Sequence, residues 1–367
     1  MPAHSTPAAS DADPSSGPPS GAAAAAAWVR RWLVALLVGS YLLAAFAPGP
    51  GRWLRELSWS AGGVGGGARF SLVMVGVLLF CGAASVRLER LREPLRRPLA
   101  ILATLLAAWA LPIGLVSAWG TAAAGWLAPE EAAALAVGIA LAGAMPVANS
   151  AVAWTHQSGG ALAWALALVL VSISVCPWVS PLALRAMGLS LSGAVAVEAG
   201  TLVTRFTGGV FIVWVLGPTL VGLAARRVAG DRVFDRAAPW LSMSSAAALL
   251  LLNYANAAVA LPSVVAEPRA GVLITTLAAA LTLPAAGAAV AWPLARALRG
   301  SRATRAAWAY SLGMKNTGLA LGLAGATLGD RPTAVLAILA VTLTQHAVAA
   351  AVHRVLWRDR RADAGGA

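Results

Sequence analysis

Apolar residues fill long blocks of this chain, and short stretches of arginine, glycine and proline separate them. Blocks at 32–47, 70–86, 99–119, 206–225, 237–261, 271–295, 306–327 and 333–356 each approach the ~20 residues that carry a helix across a bilayer. From 132 to 184 there is no formally charged residue, and turn-forming residues at 156–160 divide that stretch into two more. The pattern therefore predicts ten transmembrane helices. Block length and the absence of period-two alternation exclude a β-barrel. Residues 1–27, rich in alanine, proline, serine and glycine, are expected to form a disordered tail. The segment 190–204, with Glu198, reads as an interfacial helix leading into the sixth span, and 358–367 as a second tail. The first block also follows Arg30-Arg31 and ends in Ala45-Phe46-Ala47, as a cleavable leader does, although a retained first span is the simpler reading.

Composition narrows the class. Hydrophobic residues make up 59% of the chain and charged ones 11%, too apolar a balance for a fold whose surface meets water. A net charge of +13 would suggest nucleic acid in a soluble protein. Here the arginines cluster between spans, as they do in cytoplasmic loops, so the bilayer is the partner and nucleic acid is not. Loops 87–97, 226–236 and 296–305 and the tail from Arg354 are arginine-rich, whereas 119–131, 262–269 and 328–332 are not. These alternate correctly if both termini are cytoplasmic. The misfit is 48–69, which carries Arg52, Arg55 and Arg69 yet falls outside. One lysine among many arginines suggests a GC-rich genome and hence a bacterial inner membrane. Cys81 and Cys176 sit in apolar blocks without ligand spacing, so no metal or cofactor is expected from them.

Two blocks are interrupted. The fourth contains Gly143-Ala-Met-Pro146-Val-Ala-Asn149-Ser150, where Pro146 breaks the helix and Asn149 and Ser150 suit the cap of a restarted one. The ninth contains Ser311-Leu-Gly313-Met-Lys315-Asn316-Thr317-Gly318. Each break falls in the fourth span of a five-span half, 28–186 and 187–357, and halves with an odd number of spans have opposite orientations. Paired broken helices in inverted halves point to a transporter site near the midplane. Lys315 is the only formal charge between Arg305 and Asp330. A charge held that deep costs at least about 2.5–3.5 kcal/mol and normally faces a cavity or a partner. Gln345 and His346 in the last span are candidates to line the same cavity or to make interhelical contacts. Ser172 and Ser174 are expected to bond to their own helix backbone. Asn253 and Asn256 share a helix face that marks a helix contact, and His156 is placed in a loop. The spans contain no His-Glu-x-x-His, paired aspartates or Cys-His cluster, so an enzyme is disfavoured.

At the ninth span the chain resembles the bile acid:sodium symporter family. The family motif Glu-Thr-Gly-Met-Gln-Asn-Ser-Gly-Leu-Ala is matched by Ser311-Leu-Gly-Met-Lys-Asn-Thr-Gly-Leu-Ala320, and the region from Pro146 to Gly160 resembles the family's proline-containing crossover. The resemblance implies an all-α, ten-helix inverted-repeat fold, with spans 1, 2, 6 and 7 as a panel and the rest as a core that moves against it. It also implies a symporter of small organic anions. Ser311 stands where the family has its sodium-coordinating glutamate, and Lys315 where it has glutamine. The third-span glutamine falls at Ala107. The Ser-Asn pair falls at Ala151 and Val152, or at Asn149 and Ser150 after a shift. The expected substrate and ion site therefore comprises Pro146, Asn149, Ser150, Ser311, Gly313, Lys315, Asn316, Thr317 and Gln345, with any sodium at Asn149, Ser150 and Asn316. Lys315 in the place of one sodium would support sodium-independent or proton-coupled movement of the anion. An auxin-efflux-like or arsenite-permease-like carrier, or a non-transporting receptor, is the alternative. Substrate identity and oligomeric state are not encoded in any recognisable motif.

Overall fold

The computed structural model describes residues 21–59, 68–189, 212–328 and 331–365. Its helices are α1 (Gly21–Phe46), α2 (Pro48–Glu56), α3 (Phe70–Ala84), α4 (Arg92–Leu95), α5 (Pro98–Ala123), α6 (Pro129–Ala144), α7 (Ser150–Gln157) and α8 (Leu162–Leu189). There follow α9 (Gly217–Ala229), α10 (Asp231–Ala266), α11 (Ala270–Ala297), α12 (Arg302–Gly313), α13 (Thr317–Thr327) and α14 (Pro332–Gly365). A 3₁₀ turn (Leu88–Leu91) precedes α4, and a π-helical turn (Ile212–Leu216) leads into α9. The described strands are a two-residue pair, Ser58–Trp59 against Ala68–Arg69.

Local sequence explains the starts. Proline opens or nearly opens α2, α5, α6 and α9, positions where its missing N–H costs nothing. Glu130 and Glu131 lie in the first turn of α6, at its positive dipole end. Ser301 caps α12 by accepting from the Thr304 N–H at 3.1 Å. Gly230, at φ 84°, separates α9 from α10.

This is an all-helical, multi-pass membrane architecture. Six helices are individually long and apolar enough to span: α1, α5, α8, α10, α11 and α14 up to Leu356. A seventh arises if α3 is counted with the segment Glu89–Leu95 beyond a 77° bend. The count falls below the ten expected because the fourth and ninth blocks are each split into two short helices. Part of the sixth block, the interfacial segment 190–204 and residues 1–20 lie outside the described residues. Three boundaries differ from the sequence reading. Residues 21–27 are helical because alanine is the best helix former. The boundary at 186 falls inside α8. The stretch from 358 continues α14 to Gly365.

Packing sorts the helices into two groups. In one, α1 and α2 lie on α10, and α3 lies on α9 and α10. In the other, α5, α6, α8, α11, α12 and α14 pack chiefly on one another, and α7 joins them through α8 and α12. The half-helix α13 lies between, touching α3, α10 and α14. The interior belongs to the broken helices, since every residue from Ala132 to Ala144 is buried, as is nearly all of α12. The outward faces of α1, α5 and α11 instead expose Leu42, Leu43, Phe46, Leu99, Leu102, Leu106, Ile274 and Leu277, as lipid-facing helices do.

The misfit loop now has an account. Arg52 Nε donates to the Ala258 carbonyl at 3.2 Å, and an Arg55 nitrogen lies 3.4 Å from the Gly325 carbonyl. Pro262, one turn after Ala258 in α10, has no N–H to offer that carbonyl. Arg52 fills a vacancy that proline creates.

Candidate functional site

Both interrupted helices unwind into extended backbone, and the two extended pieces cross. Met145 follows α6 with ψ 155°, and Met314 follows α12 with φ −125° and ψ 118°. The pieces pair antiparallel, with Val147 opposite Lys315. The Ala148 N–H donates to the Met314 carbonyl at 3.0 Å and the Asn316 N–H to the Pro146 carbonyl at 2.9 Å. These bonds use the residues on either side of the central pair, so the N–H groups of Val147 and Lys315 point away from each other. Each finds a side chain. Ser172 Oγ on α8 accepts from Val147 N at 3.1 Å, and Gln345 Oε1 on α14 accepts from Lys315 N at 3.0 Å. Gln345 Nε2 also reaches Thr317 Oγ1 at 3.3 Å, so it clasps the second break on both sides. In hydrocarbon these backbone groups would be costly if unmet, so the crossing is stable only because α8 and α14 supply partners.

Lys315 is 3% exposed. Its ammonium donates to the Ala108 carbonyl on α5 and lies 5.7 Å from the Trp109 ring centroid, within cation–π range. The acceptor is available because Pro112, four positions on, lacks the N–H that would normally close that helical turn. A second proline repeats the arrangement in α11. Pro284 frees the Ala280 carbonyl, and Thr344 Oγ1 on α14 donates to it at 2.8 Å. Glycines permit the close approaches: a Cβ on Gly143 would lie 2.8 Å from Pro112 Cβ, and one on Gly287 would lie 2.3 Å from the Leu312 carbonyl oxygen.

A sequence model of the sodium bile acid symporter family matches residues 72–267, more than half of the chain. The chain belongs to that family. No curated protein matches it. It is accordingly a membrane transporter of the bile acid symporter kind. The matched stretch contains the first break and ends before the second, so Lys315 and its neighbours are read from their geometry alone.

The expected site residues of this symporter-family chain divide into two sets. Pro146, Lys315, Asn316, Thr317 and Gln345 join one hydrogen-bonded crossing. Asn316 Oδ1 accepts from Leu319 N at 3.1 Å and so caps α13. Gly313 ends α12 against α11, where a Cβ would sit 3.0 Å from the Pro284 carbonyl oxygen. Ser311 is fully buried, and its hydroxyl has no hydrogen-bond partner among the described residues. Asn149 occupies the cap position of α7 but makes no capping bond, because its own backbone is already helical at φ −60° and ψ −29°. Its Nδ2 turns instead to the Leu78 carbonyl on α3, at 3.3 Å. Ser150 opens α7 half-buried.

Other expectations are adjusted. Among the described residues Ser174 bonds within its own helix, to Leu170, as expected, whereas Ser172 bonds to Val169 and also holds the first break. His346 accepts from Trp154 Nε1 at 3.4 Å, which makes it an interhelical contact. Asn253 accepts from Tyr41 of α1, and Asn256 Nδ2 bonds to its own helix at Leu252. His156 belongs to the last turn of α7. Sequence reading missed Ala108 and Trp109. The signal for Ala108 was present: a proline inside an apolar helix marks a free carbonyl one turn before it.

Proposed function

We propose that this transporter moves a small organic anion and that the Lys315 ammonium takes the place of a coupling sodium ion, so that flux does not require sodium. One observation carries the reading: a buried ammonium sits on a proline-freed carbonyl beside the crossing, with an aromatic face over it. Carbonyl oxygen is the ligand type that hard cations choose, and a covalently held cation there would repel a free one nearby. No aspartate or glutamate occurs from 132 to 184 or from 306 to 329. Sodium held by Asn149, Ser150 and Asn316 is the competing arrangement. It is weakened by the engagement of Asn316 Oδ1 as the cap of α13. An anionic substrate is favoured because the start of α7, the positive end of a half-helix, carries no side-chain cap.

The ten-span inverted repeat fits this reading. Gly143 meets Pro112 in one half as Gly313 meets Pro284 in the other, and Ser172 serves Val147 as Gln345 serves Lys315. Two helix groups around a central crossing suit alternating access by displacement of one group against the other. The arginine-rich loops orient the protein with both termini cytoplasmic in a bacterial inner membrane. The test is uptake into proteoliposomes from a panel of carboxylates and sulfonates, taurocholate included, with sodium and pH gradients imposed separately. Uptake unchanged by sodium, and altered by Lys315→Gln, is expected. Strict sodium dependence of the unsubstituted protein would sink the proposal.

A further inference from the structure

Side-chain hydrogen bonds join the two helix groups at the start of α7, where Asn149 meets α3, and at Tyr41 of α1, whose hydroxyl donates to the Leu339 carbonyl of α14 at 3.2 Å. Asn149 projects from the first break onto α3, with Nδ2 3.3 Å from the Leu78 carbonyl. One turn along α3, Gly82 lies under the same amide. A Cβ built there would come within 2.1 Å of Nδ2, 2.6 Å of Cγ and 2.9 Å of Oδ1. Only a residue without a side chain leaves room for it. Between α3 and α13 the seam is built of close packing. Where α13 crosses α3, glycine meets aliphatic or serine groups: Gly318 against Leu78, Gly322 against Val75 and Gly325 against Ser71. Those contacts are also tight, a Cβ on Gly322 lying 2.4 Å from Val75 Cγ2, but they fit by shape, whereas an amide seated in a notch and bonded to a fixed carbonyl adds direction to the fit.

We infer that Asn149 is a positioning residue for transport: its amide, seated over Gly82, is the key that registers the broken-helix group against α3 in the conformation described. The inference rests on the two-group displacement proposed above, and it assigns Asn149 a role other than ion ligand. Three features support it. Asn149 stands where an asparagine ordinarily caps its own helix, and it does not. Its amide sits across a group boundary, on the backbone of a helix that packs chiefly with α9 and α10 and, through close glycine contacts, with α13. The notch that receives it is complementary to within the size of one methyl group. Displacing α7 from α3 must withdraw the key, and anything that fills the notch must favour the withdrawn state.

The experiment needs no transported substrate. Val75, buried on α3 against Gly322, is replaced by cysteine in a background with Cys81→Ala and Cys176→Ala. The rate of its modification by a small maleimide is then measured in native membranes. Gly82→Ala should raise that rate about tenfold, the scale expected from overpacking a tight contact. Adding Asn149→Ala should return it to near the starting rate, because the methyl then has the space the amide left. An unfolded or loosened protein would not be rescued by a second truncation. No rise with Gly82→Ala, or a rise that Asn149→Ala fails to reverse, overturns the inference. The labelling measures docking and the proteoliposome assay measures flux, so either reading can fail without the other.

Discussion

The pairing of Lys315 with the carbonyl that Pro112 frees can be tested by restoring the missing donor. In Lys315→Met the Ala108 carbonyl loses its partner while remaining buried, a loss of about 1–3 kcal/mol. In Pro112→Ala the helix recovers its own N–H for that carbonyl, and the ammonium must compete for it. A charge-assisted hydrogen bond contributes about 1.5–3 kcal/mol, so weakening it offsets the roughly 3 kcal/mol a helix gains by exchanging an interior proline for alanine. In the double variant the backbone N–H satisfies Ala108 and the buried charge is gone, so neither loss applies. Changes unrelated to the pair, such as altered packing of Pro112 on Gly143, appear in both halves of the cycle and cancel to first order. The Lys315→Met single should therefore melt below the starting protein in detergent, and the double above that single. The coupling free energy should be about 3 kcal/mol. Additivity within about 0.5 kcal/mol, the value for independent sites, would refute the account of why this carbonyl is available.

Further contrasts follow from the same geometry. Ser172→Ala strands the Val147 N–H at the crossing and should cost about 1–3 kcal/mol, whereas Ser174→Ala, which loses only a bond to its own helix, should stay within about 0.5 kcal/mol; paired melting curves decide. Gly287→Ala drives a methyl to within 2.3 Å of the Leu312 carbonyl oxygen and should cost about 3 kcal/mol or prevent recovery of monodisperse protein, while Gly39→Ala, with open space around it, should be neutral or slightly stabilising. Arg226 is 6% exposed and holds the Ala84 carbonyl, Asp231 and Asp235 together. Arg226→Met should cost about 2 kcal/mol, less than a fully buried pair because both carboxylates can rehydrate, whereas Arg87→Met at an exposed bridge should cost under about 1 kcal/mol. Equal melting shifts for the two arginines would contradict this.

Much of the site was legible because broken helices have a local cause. Pro146 ends a helix wherever it sits, and the glycines and polar residues from Ser311 to Gly318 mark the second interruption in the same way. Lys315 stood out because a charge in an apolar block demands a partner. Which partner it takes was not legible: Ala108 is an alanine like many others, and it matters through its backbone. Asn149 was read as a cap from its residue type. Its local backbone is helical, and its neighbours on α3, far away in sequence, decide where the amide goes. Ser172 likewise bonds within its helix as its type suggests, and holds the first break as only its position allows.

The sequence by itself determined the solvent, the helical architecture and the two points of interruption. Block length, charge segregation and proline act over one or two helical turns and need no distant contact. Tertiary structure alone decided that the interruptions cross, that Val147 faces Lys315, that acceptors on α8 and α14 meet the N–H groups the breaks release, and that the lysine donates to the carbonyl Pro112 frees. The physical reason is the bilayer's demand that every freed N–H and carbonyl find a partner inside the protein. That demand is local, but the groups that answer it lie on helices distant in sequence.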